Sequence, residues 1–582
     1  MPFNRDGWLP LVRTAGPPDA GVRPVRKGAA TRGAAGDHGD ARPRRWTRGP
    51  IAAVAVATLY VMLLAPLLRF GIDDLGIAAV FSTDEALSGR IVRAMIENRT
   101  LNPQHFFAYG AFYHELAALP LMPFAWLGAG DRAALLSLRF VALVSGGATV
   151  LLTAWLGARL YGWPAGVLAA ALLAASPELA RWSITAHPDT LQLALITGGL
   201  IAVVSVRERP SPGRIAVAAV LAGMAFGTKY GGLFLLPLIL LAAWCALVEQ
   251  GRRGAPLLQQ FALQLALVAM AFAAAFVVTN PYAAIEWRRF LTQFEAEIQH
   301  ARAGHVFAGT AGWWNWIEIV ASPKGAGVVT FAVALAGWVR LGWDRARMWR
   351  APMTPWWRRV ATLLDARALI ALWTAGYLAY LIGFVGLHEP RYALPALPGL
   401  AVSAAGFVVF VLRGASQRTA LVAGALVIAC AVLPAAIPLR DVYATRTAQR
   451  ADGGNPRIAA GRWLAEHVPA EASILADAYV YVPPVFSHHA ETFGLTAEQI
   501  DAVRPVVIVT NEDIRGRFRD VERAERYVDG AAVFHRRADA YARLEAGQVR
   551  CYRLLQDFGS VRVYADEEAL RDGKQRGCGT ET

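Results

Sequence analysis

The chain has 582 residues, of which 55% are hydrophobic and only 18% are charged, and its mean hydropathy is +0.36. These values exclude an ordinary soluble domain and favour an integral membrane protein in contact with lipid. The formal net charge of +14 comes without a basic run interleaved with aromatic residues, which argues against nucleic-acid binding. Four cysteines argue against a disulfide-dense or zinc-ribbon protein.

In chain order, residues 1–49 are rich in Arg, Gly, Ala and Pro and lack apolar periodicity. They predict a disordered basic cytoplasmic leader rather than a cleavable signal peptide. Residues 50–440 are predicted to form a membrane domain, because apolar stretches near the roughly 20 residues that a bilayer core requires recur along them. About eleven such spans are predicted, at 51–70, 134–157, 164–180, 190–206, 213–228, 231–248, 257–279, 325–342, 368–387, 392–412 and 420–438.

Lys and Arg near the ends of the spans predict their orientation. The leader contains RPRRWTR and is placed in the cytoplasm, and alternation then places four further basic loops there, at 207–214, 249–254, 340–359 and 413–418. A miscount by one span would put all of these loops outside, so their agreement supports the eleven-span threading. Loops 71–133 and 280–322 and the C-terminal tail then lie on the outer, periplasmic side of the cell membrane.

The tail, residues 441–582, differs in sequence pattern from the apolar spans before it. NPRIAAGRWLAEHV has helical spacing after an Asn-Pro start, and RPVVIVT and SVRVYAD are short β-rich runs. The predicted fold class is therefore an α-helical polytopic membrane protein with a small C-terminal α/β extracytoplasmic domain. Cys551 and Cys578 lie in this tail and predict a disulfide on the oxidising side, a frayed end being the alternative. Cys245 and Cys430 lie in predicted spans and are expected to be small packing residues.

The threading gathers polar clusters on the outer face. These are STDEALSGR with Asp84 and Glu85, AHPDT with Asp189, GTKYGG with Lys229, and HEPRY with His388, Arg391 and Tyr392. Carboxylates can serve as the general base for a hydroxyl. Lys and Arg can bind a phosphate and offset the charge that develops as it leaves. The pattern is typical of a transfer reaction at a membrane surface.

Structural explanations remain open for several of these residues. Lys229 could snorkel to the interface, and Arg391 could pair with Glu389 or bind lipid head groups. Trp182 and Trp313 are interpreted as an aromatic belt rather than a sugar platform. Ionisable groups at span ends, such as Asp189 and Lys229, are nevertheless costly unless they are paired or functional.

The segments DEALSGRIVRAMIENRTLNPQHFFAYGAFY, AHPDTLQLALI, GTKYGGLFLLP, NPYAAIEWRRF and EPRYALPALPGL resemble successive blocks of the GT-C glycosyltransferases. The nearest branch is that of the protein O-mannosyltransferase-like enzymes, which includes the aminoarabinose transferase of lipid A. The resemblance covers roughly residues 50–440. It implies an inverting transfer outside the cytoplasm from a polyprenyl-phosphate-linked sugar to an acceptor hydroxyl on a protein, lipid or glycan.

The resemblance also implies roles for particular residues. Asp84 takes the place of the acid that acts as base or organises the acceptor, with Glu85 beside it. Asp189 matches a second acid, and Lys229 and Arg391 match basic residues near the lipid phosphate. We further expect Tyr109 and His388 to help Asp189 position donor or acceptor, and Tyr392 to join the phosphate site.

The chain departs from the aminoarabinose transferase, which has an Arg shortly after its acidic pair; here Leu87 and Ser88 follow and the first Arg is Arg90. No cofactor is required by the resemblance, although some members use a divalent metal, and the sequence shows no dedicated metal-ligand spacing. The rival functions are a transporter or flippase of a lipid-linked substrate and a membrane scaffold. A transporter would place its ionisable groups near mid-membrane and often carries a repeat, neither of which the sequence indicates.

Overall fold

A computed structural model describes residues 48–72, 74–128, 130–303, 313–349, 355–448, 454–520, 524–525, 530–549 and 551–572. The predicted leader, 1–49, lies outside these ranges except for its last two residues. The described residues belong to one compact unit, Thr47–Thr582.

The first apolar helix is followed by short helices in the predicted outer loop 71–133. The apolar helix is α1 (Arg48–Leu64), which continues as a 3₁₀ turn to Arg69. The short helices are α2 (Leu75–Phe81), α3 (Thr83–Glu97) and α4 (Phe112–Ala118). The Asp74 side chain caps α2, and the Ser82 hydroxyl accepts a hydrogen bond from the Glu85 amide at the start of α3. Side-chain caps of this kind satisfy amides that have no partner within the helix. They fix where the helix with the two adjacent acids begins.

Seven helices follow without a long interruption. They are α5 (Asp131–Tyr161), α6 (Trp163–Ala174), α7 (Pro177–Ser183), α8 (Asp189–Glu208), α9 (Pro212–Thr228), α10 (Leu235–Glu249) and α11 (Gly254–Thr279). Helices α6 and α7 meet at an angle of 70°. Ser176 and Pro177 start α7 as a new helix, because proline cannot donate a hydrogen bond to the preceding turn.

The remaining membrane-domain helices alternate short and long. The predicted outer loop 280–322 contains α12 (Pro281–Ile285), α13 (Trp287–Ala303) and α14 (Trp313–Ala321), and α15 (Val328–Trp349), α16 (Trp356–Leu363), α17 (Ala366–Phe384), α18 (Leu397–Val411) and α19 (Gln417–Thr447) follow. Helix α19 extends past the predicted end of the membrane domain at residue 440.

The polytopic helical fold predicted from the sequence is confirmed. Within the described residues, eight helices are long and apolar enough to cross a membrane, or nine if the bent α6–α7 pair is one span. The predicted spans 213–228 and 325–342 correspond to α9, which has 17 residues, and to α15, whose second half carries charges. The count of eleven spans and the orientation of the termini therefore stay predictions.

The tail forms the predicted α/β domain. Its elements are α20 (Pro456–His467), β1 (Ile474–Asp477), β2 (His489–Thr492), α21 (Ala497–Val503), β3 (Val507–Asn511), α22 (Glu512–Arg515), α23 (Ala531–Glu545), β4 (Tyr552–Asp557), β5 (Val561–Asp566) and α24 (Glu567–Asp572). The strand order is β2-β1-β3-β5-β4. Strand β1 is parallel to β2 and β3, and β5 is antiparallel to β3 and β4. The carboxyl ends of three neighbouring strands thus share one edge.

The α/β domain is docked on α2, immediately before the acidic pair. Ile77 and Val80 of α2 form an apolar cluster with Ile458 and Tyr481. The Tyr481 hydroxyl donates a 2.6 Å hydrogen bond to Asp74, so the contact is both apolar and polar. The parallel strand ends therefore stand next to the start of α3.

Three of the four cysteines lie within the described residues. Cys245 is buried and Cys430 is exposed, and both are free thiols. Cys551 is disulfide-bonded, while its predicted partner, Cys578, lies outside the described residues. Cys430 is consequently not a packing residue within this chain.

Candidate active site

An open cleft of about 930 Å³ lies where the membrane helices meet the α/β domain. Its lining includes Asp84 from α3, Arg181 and Trp182 from α7, Arg391, Arg446 from α19, and Tyr479, Phe493 and Arg517 from the α/β domain. Both domains thus contribute side chains to one polar cleft, whose size is near the upper end of the roughly 300–1,000 Å³ range of small-molecule sites.

Asp84 faces this cleft. Its side chain is 31% exposed, and its Oδ2 atom lies 3.2 Å from Nη1 of Arg391 and 3.5 Å from Nε2 of His187. The Tyr109 hydroxyl donates to the same oxygen at 3.4 Å. Burial alone would raise the pKa of Asp84, but the hydrogen bond to His187 and the charges of His187 and Arg391 hold it below its ordinary value. The carboxylate is therefore ionised at neutral pH.

A chain of polar groups leads from Asp84 into the bundle. Nδ1 of the fully buried His187 lies 2.7 Å from Oδ2 of Asp189. The other oxygen of Asp189 lies 2.5 Å from Nζ of Lys229. Asp189 begins α8 and Lys229 caps the C-terminus of α9, so each charge sits at the helix end that its sign favours. The pairing compensates the cost of burying both ions.

Gly110 allows the loop with Tyr109 to approach Lys229 at the end of α9. A Cβ atom added to Gly110 would lie 1.8 Å from the carbonyl oxygen of Gly227. Only glycine therefore permits this loop to approach the end of α9. The approach places the Tyr109 ring 5.6 Å from Nζ of Lys229, and the Tyr392 ring lies 4.8 Å from the same atom. Both rings are at distances at which a cation is attracted to a π face.

Glu85 has a different environment from its neighbour. Adjacent residues on a helix point about 100° apart, and Glu85 is buried with Oε1 2.6 Å from Arg139 Nε and Oε2 3.1 Å from Arg446 Nη1. The Ala186 amide donates to Oε1 at 2.9 Å. Burial would raise the pKa of Glu85, but the two guanidinium charges and these hydrogen bonds lower it to about 2. Both oxygens of the Glu85 carboxylate thus have partners, and its two ion pairs connect α3 to α5 and α19.

His388 is the predicted site residue that stands apart. Its ring is 5.2 Å from that of the buried Trp316, and it is not among the residues that line the cleft. Burial lowers its pKa. The structure therefore brings together Asp84, Asp189, Lys229, Arg391, Tyr109 and Tyr392, places Glu85 behind them, and leaves His388 beside a tryptophan.

Sequence reasoning missed His187, Arg139 and Arg446. Arg139 lies inside an apolar run, and an intramembrane charge is by itself a sign of a partner. His187 stands two residues before Asp189 in the motif AHPDT. The belt interpretation of Trp182 is wrong, since this ring is buried and lies 5.0 Å from the Arg391 guanidinium carbon; Trp313, by contrast, is exposed.

The acids do not form a metal centre in this arrangement. Within the described ranges, no three His, Cys, Asp or Glu side chains are grouped to hold a metal ion. His187 stands between Asp84 and Asp189 with one ring nitrogen toward each, and Lys229 takes the remaining oxygen of Asp189. These donors therefore do not converge on one point.

Two exposed cations add to the cleft. Arg181 and Lys324 line it, and neither pairs with a carboxylate among the residues that the structure describes. Because Arg391 and Lys229 are already opposed by Asp84 and Asp189, these four charges sum to zero. The lining of the cleft as a whole holds acidic and basic side chains in near balance, so Arg181 and Lys324 are local cations and do not make the cleft positive overall.

Comparison with known proteins agrees with the resemblance in the sequence. Residues 129–279, which include α5 to α11 with Asp189 and Lys229, match the family model of dolichyl-phosphate-mannose-protein mannosyltransferases. The predicted resemblance to this glycosyltransferase branch is confirmed over that segment. No curated protein sequence matches the chain significantly.

Two solved structures are similar in fold. One is ArnT from Cupriavidus metallidurans bound to undecaprenyl phosphate, with 14% identity and a TM-score of 0.49 over 89% of this chain and 98% of that one. The other is the Archaeoglobus fulgidus oligosaccharyltransferase in complex with Zn and sulfate, with 13% identity and a TM-score of 0.48 over 84% of this chain and 70% of that one.

Proposed function

We propose that the protein is a membrane glycosyltransferase that moves a sugar from a polyprenyl-phosphate-linked donor to an acceptor hydroxyl on the outer face of the cell membrane. The observation that carries this proposal is the partly exposed carboxylate of Asp84, held between Arg391 and His187 in a cleft at the ends of membrane helices. The family match over residues 129–279 supports a lipid-phosphate donor. A dolichyl phosphate is one form of polyprenyl phosphate.

In this reaction the acceptor oxygen forms a bond to the anomeric carbon, and the bond from that carbon to the phosphate oxygen breaks with inversion. The bonding electrons leave with the polyprenyl phosphate, and the hydroxyl proton moves to Asp84. No covalent intermediate with the enzyme is needed, because a lipid phosphate is a good leaving group. General base catalysis of this kind contributes about 10²–10⁴-fold to the rate.

The charges of the cleft suit the leaving group. A sugar phosphodiester carries one negative charge, and the monoester that leaves carries up to two. Lys229 and Arg391 would stabilise this charge, with Tyr392 packed beside them. Arg181 and Lys324 line the same cleft and would be two further cations near the phosphate.

Arg391 links donor binding to the strength of the base. In this structure the charge of Arg391 helps to keep the pKa of Asp84 low, and a low pKa makes Asp84 a weak base. A donor phosphate that draws Arg391 toward itself would remove part of this effect and raise the basicity of Asp84. The base would then be strongest when the donor is in place.

The proposal is tested with the purified full-length protein in liposomes that contain radiolabelled polyprenyl-phospho-mannose, with an extract of the cell envelope added as the source of acceptor hydroxyls. We expect release of polyprenyl phosphate and a labelled glycoside of inverted configuration, both lost in Asp84→Asn. A transporter would move the donor with its sugar–phosphate bond intact. The geometry of the site does not specify the donor sugar, so the same assay is run with glucose and aminoarabinose donors. Mass analysis of envelope glycans with and without the gene identifies the acceptor. Intact donor in every case would overturn the proposal.

A further inference from the structure

The α/β domain presents the carboxyl ends of its parallel strands to the cleft. In open sheets with parallel strands, ligands bind outside the carboxyl ends of the strands. Strand β1 is parallel to both β2 and β3, and each is followed at once by residues that line the cleft. These are Tyr479 after β1, Phe493 after β2, and Glu512 and Asp513 after β3.

Tyr479 is held in an unfavourable backbone conformation at this edge. Its φ is +67°, in the left-handed region that a bulky residue rarely occupies. Glycine would adopt this conformation without cost, yet the chain has an aromatic residue. Strained residues cluster at binding and active sites, where the surrounding structure holds them. An aromatic ring at a strained position of this edge is therefore a candidate for contact with a ligand in the cleft.

The ring belongs to a platform at the cleft. Tyr479 and Phe493 meet edge to face with centroids 5.9 Å apart, and Phe493 is 50% exposed. The Arg517 guanidinium carbon lies 5.9 Å from the Tyr479 ring centre. Across the cleft, the charge of Asp84 acts on the Tyr479 hydroxyl, so the platform lies within electrostatic range of the base.

We infer that this platform is the acceptor site of the enzyme and that it takes a carbohydrate. The inference rests on the proposed function. The rings offer apolar surface for the C–H face of a sugar. The carboxylates of Glu512 and Asp513 are paired with arginines, but their further lone pairs can accept hydrogen bonds from sugar hydroxyls at the same edge. A lipid acceptor would require an apolar wall, and the charged groups of this edge oppose one. The acceptor hydroxyl would point from the platform toward Asp84, which takes its proton as the new glycosidic bond forms.

The first test measures binding without catalysis. Saturation-transfer NMR is recorded on the full-length protein in detergent with a panel of neutral disaccharides of glucose, galactose and mannose, and with a Ser/Thr peptide. We expect at least one disaccharide to receive saturation through its C–H protons, Tyr479→Phe to retain this signal and Tyr479→Gly to lose it. No saccharide signal from the wild type, binding of the peptide alone, or an unchanged signal in Tyr479→Gly would overturn the inference.

A matched variant separates ligand binding from strain. Arg504 also has a positive φ, +44°, in the same domain, but it is exposed at the end of α21 and does not line the cleft. Arg504→Gly relieves a left-handed residue at the surface and should leave the thermal midpoint close to that of the wild type. Tyr479→Gly also removes a ring that packs in part against the core of the α/β domain, so it should lower the midpoint modestly while the protein stays folded. We expect Arg504→Gly to turn over like the wild type, whereas Tyr479→Gly raises the acceptor KM by about tenfold or more, with a smaller effect on kcat.

The outcomes distinguish this inference from the proposed function. If the wild type leaves every donor intact, the proposed function fails, and the NMR signal alone still decides on the saccharide site. If the wild type transfers sugar and Tyr479→Gly has an unchanged acceptor KM, the platform is not the acceptor site. If Tyr479→Gly does not fold, Phe493→Ala removes the more exposed ring of the platform, and an unchanged acceptor KM in that variant also overturns the inference.

Discussion

Nη1 of Arg391 lies 3.2 Å from Oδ2 of Asp84, although the two residues are 307 positions apart in the chain. The pair joins the first predicted outer segment of the membrane domain to its last predicted outer turn. It also joins the expected base to an expected phosphate ligand. Changes at either residue should therefore affect both chemistry and donor binding.

Asp84→Asn should lower kcat by about 10²–10⁴-fold, because the near-isosteric amide cannot accept the proton. Turnover is measured with purified polyprenyl-phospho-sugar, and the thermal midpoint should stay close to that of the wild type. Glu97→Gln serves as the control, since it removes an exposed acid from the same helix. Wild-type turnover in Asp84→Asn would exclude a role as base.

Arg391→Gln should weaken donor binding, because it removes a cation from the proposed phosphate site. Lys229→Met should do the same but also leave Asp189 buried without its cation, at a cost of about 3–5 kcal/mol. The double variant Lys229→Met/Asp189→Asn should recover stability and not donor affinity. Donor titration and thermal unfolding are measured on the same samples; unchanged affinity in both Arg391→Gln and the double variant would reduce these residues to structural ions.

Glu85→Gln should unfold the protein more readily, because it leaves Arg139 and Arg446 buried without their shared carboxylate, at a cost of about 3–5 kcal/mol. The pKa of Glu85 is lowered to about 2, so its contribution is fully present above the ordinary value of 4.5 and is lost as the pH falls toward 2. The wild type should therefore lose more stability than Glu85→Gln between pH 5 and pH 3, as read from thermal midpoints. Parallel curves would show that Glu85 is not held ionised by the two arginines.

Asp477 should make the α/β domain less stable as the pH rises. The carboxyl is buried at the end of β1, and burial raises its pKa to about 7 despite hydrogen bonds from Tyr541 and the Asn511 amide. A raised carboxyl pKa destabilises the fold progressively from about pH 4 to pH 7. Asp477→Asn should flatten this dependence and raise the thermal midpoint at pH 8. Asp539→Asn, an exposed acid of the same domain, is the control, and equal slopes in all three proteins would contradict the prediction.

The threading can be checked by thiol labelling. In a Cys430→Ser background, which removes the exposed free thiol, cysteines at Ser211 and Ser416 should react with an impermeant reagent only after permeabilisation. A cysteine at Ser487, on the α/β domain, should react in intact cells. Labelling of all three in intact cells would be incompatible with the eleven-span orientation.

The sequence by itself predicted the elements that depend on local patterns. Apolar runs predicted the membrane helices, because crossing a bilayer core requires a minimum length and hydropathy. The runs RPVVIVT and SVRVYAD predicted β3 and β5, because such β-rich runs favour strands. Counting spans also placed Asp84, Asp189, Lys229 and Arg391 on one face. The structure brings these four side chains into one cluster.

Tertiary structure alone decided what each charge contacts. Asp84 and Glu85 are neighbours with equal local signals, yet the packing of α3 against α5 and α19 turns Glu85 into a buried ion and leaves Asp84 in the cleft. His187 between two acids, and the docking of the α/β domain on α2, likewise depend on residues far apart in sequence. Periodicity fixes a residue's position along its own helix. Its partners are fixed by the free energy of packing several helices together, and no single segment contains that information.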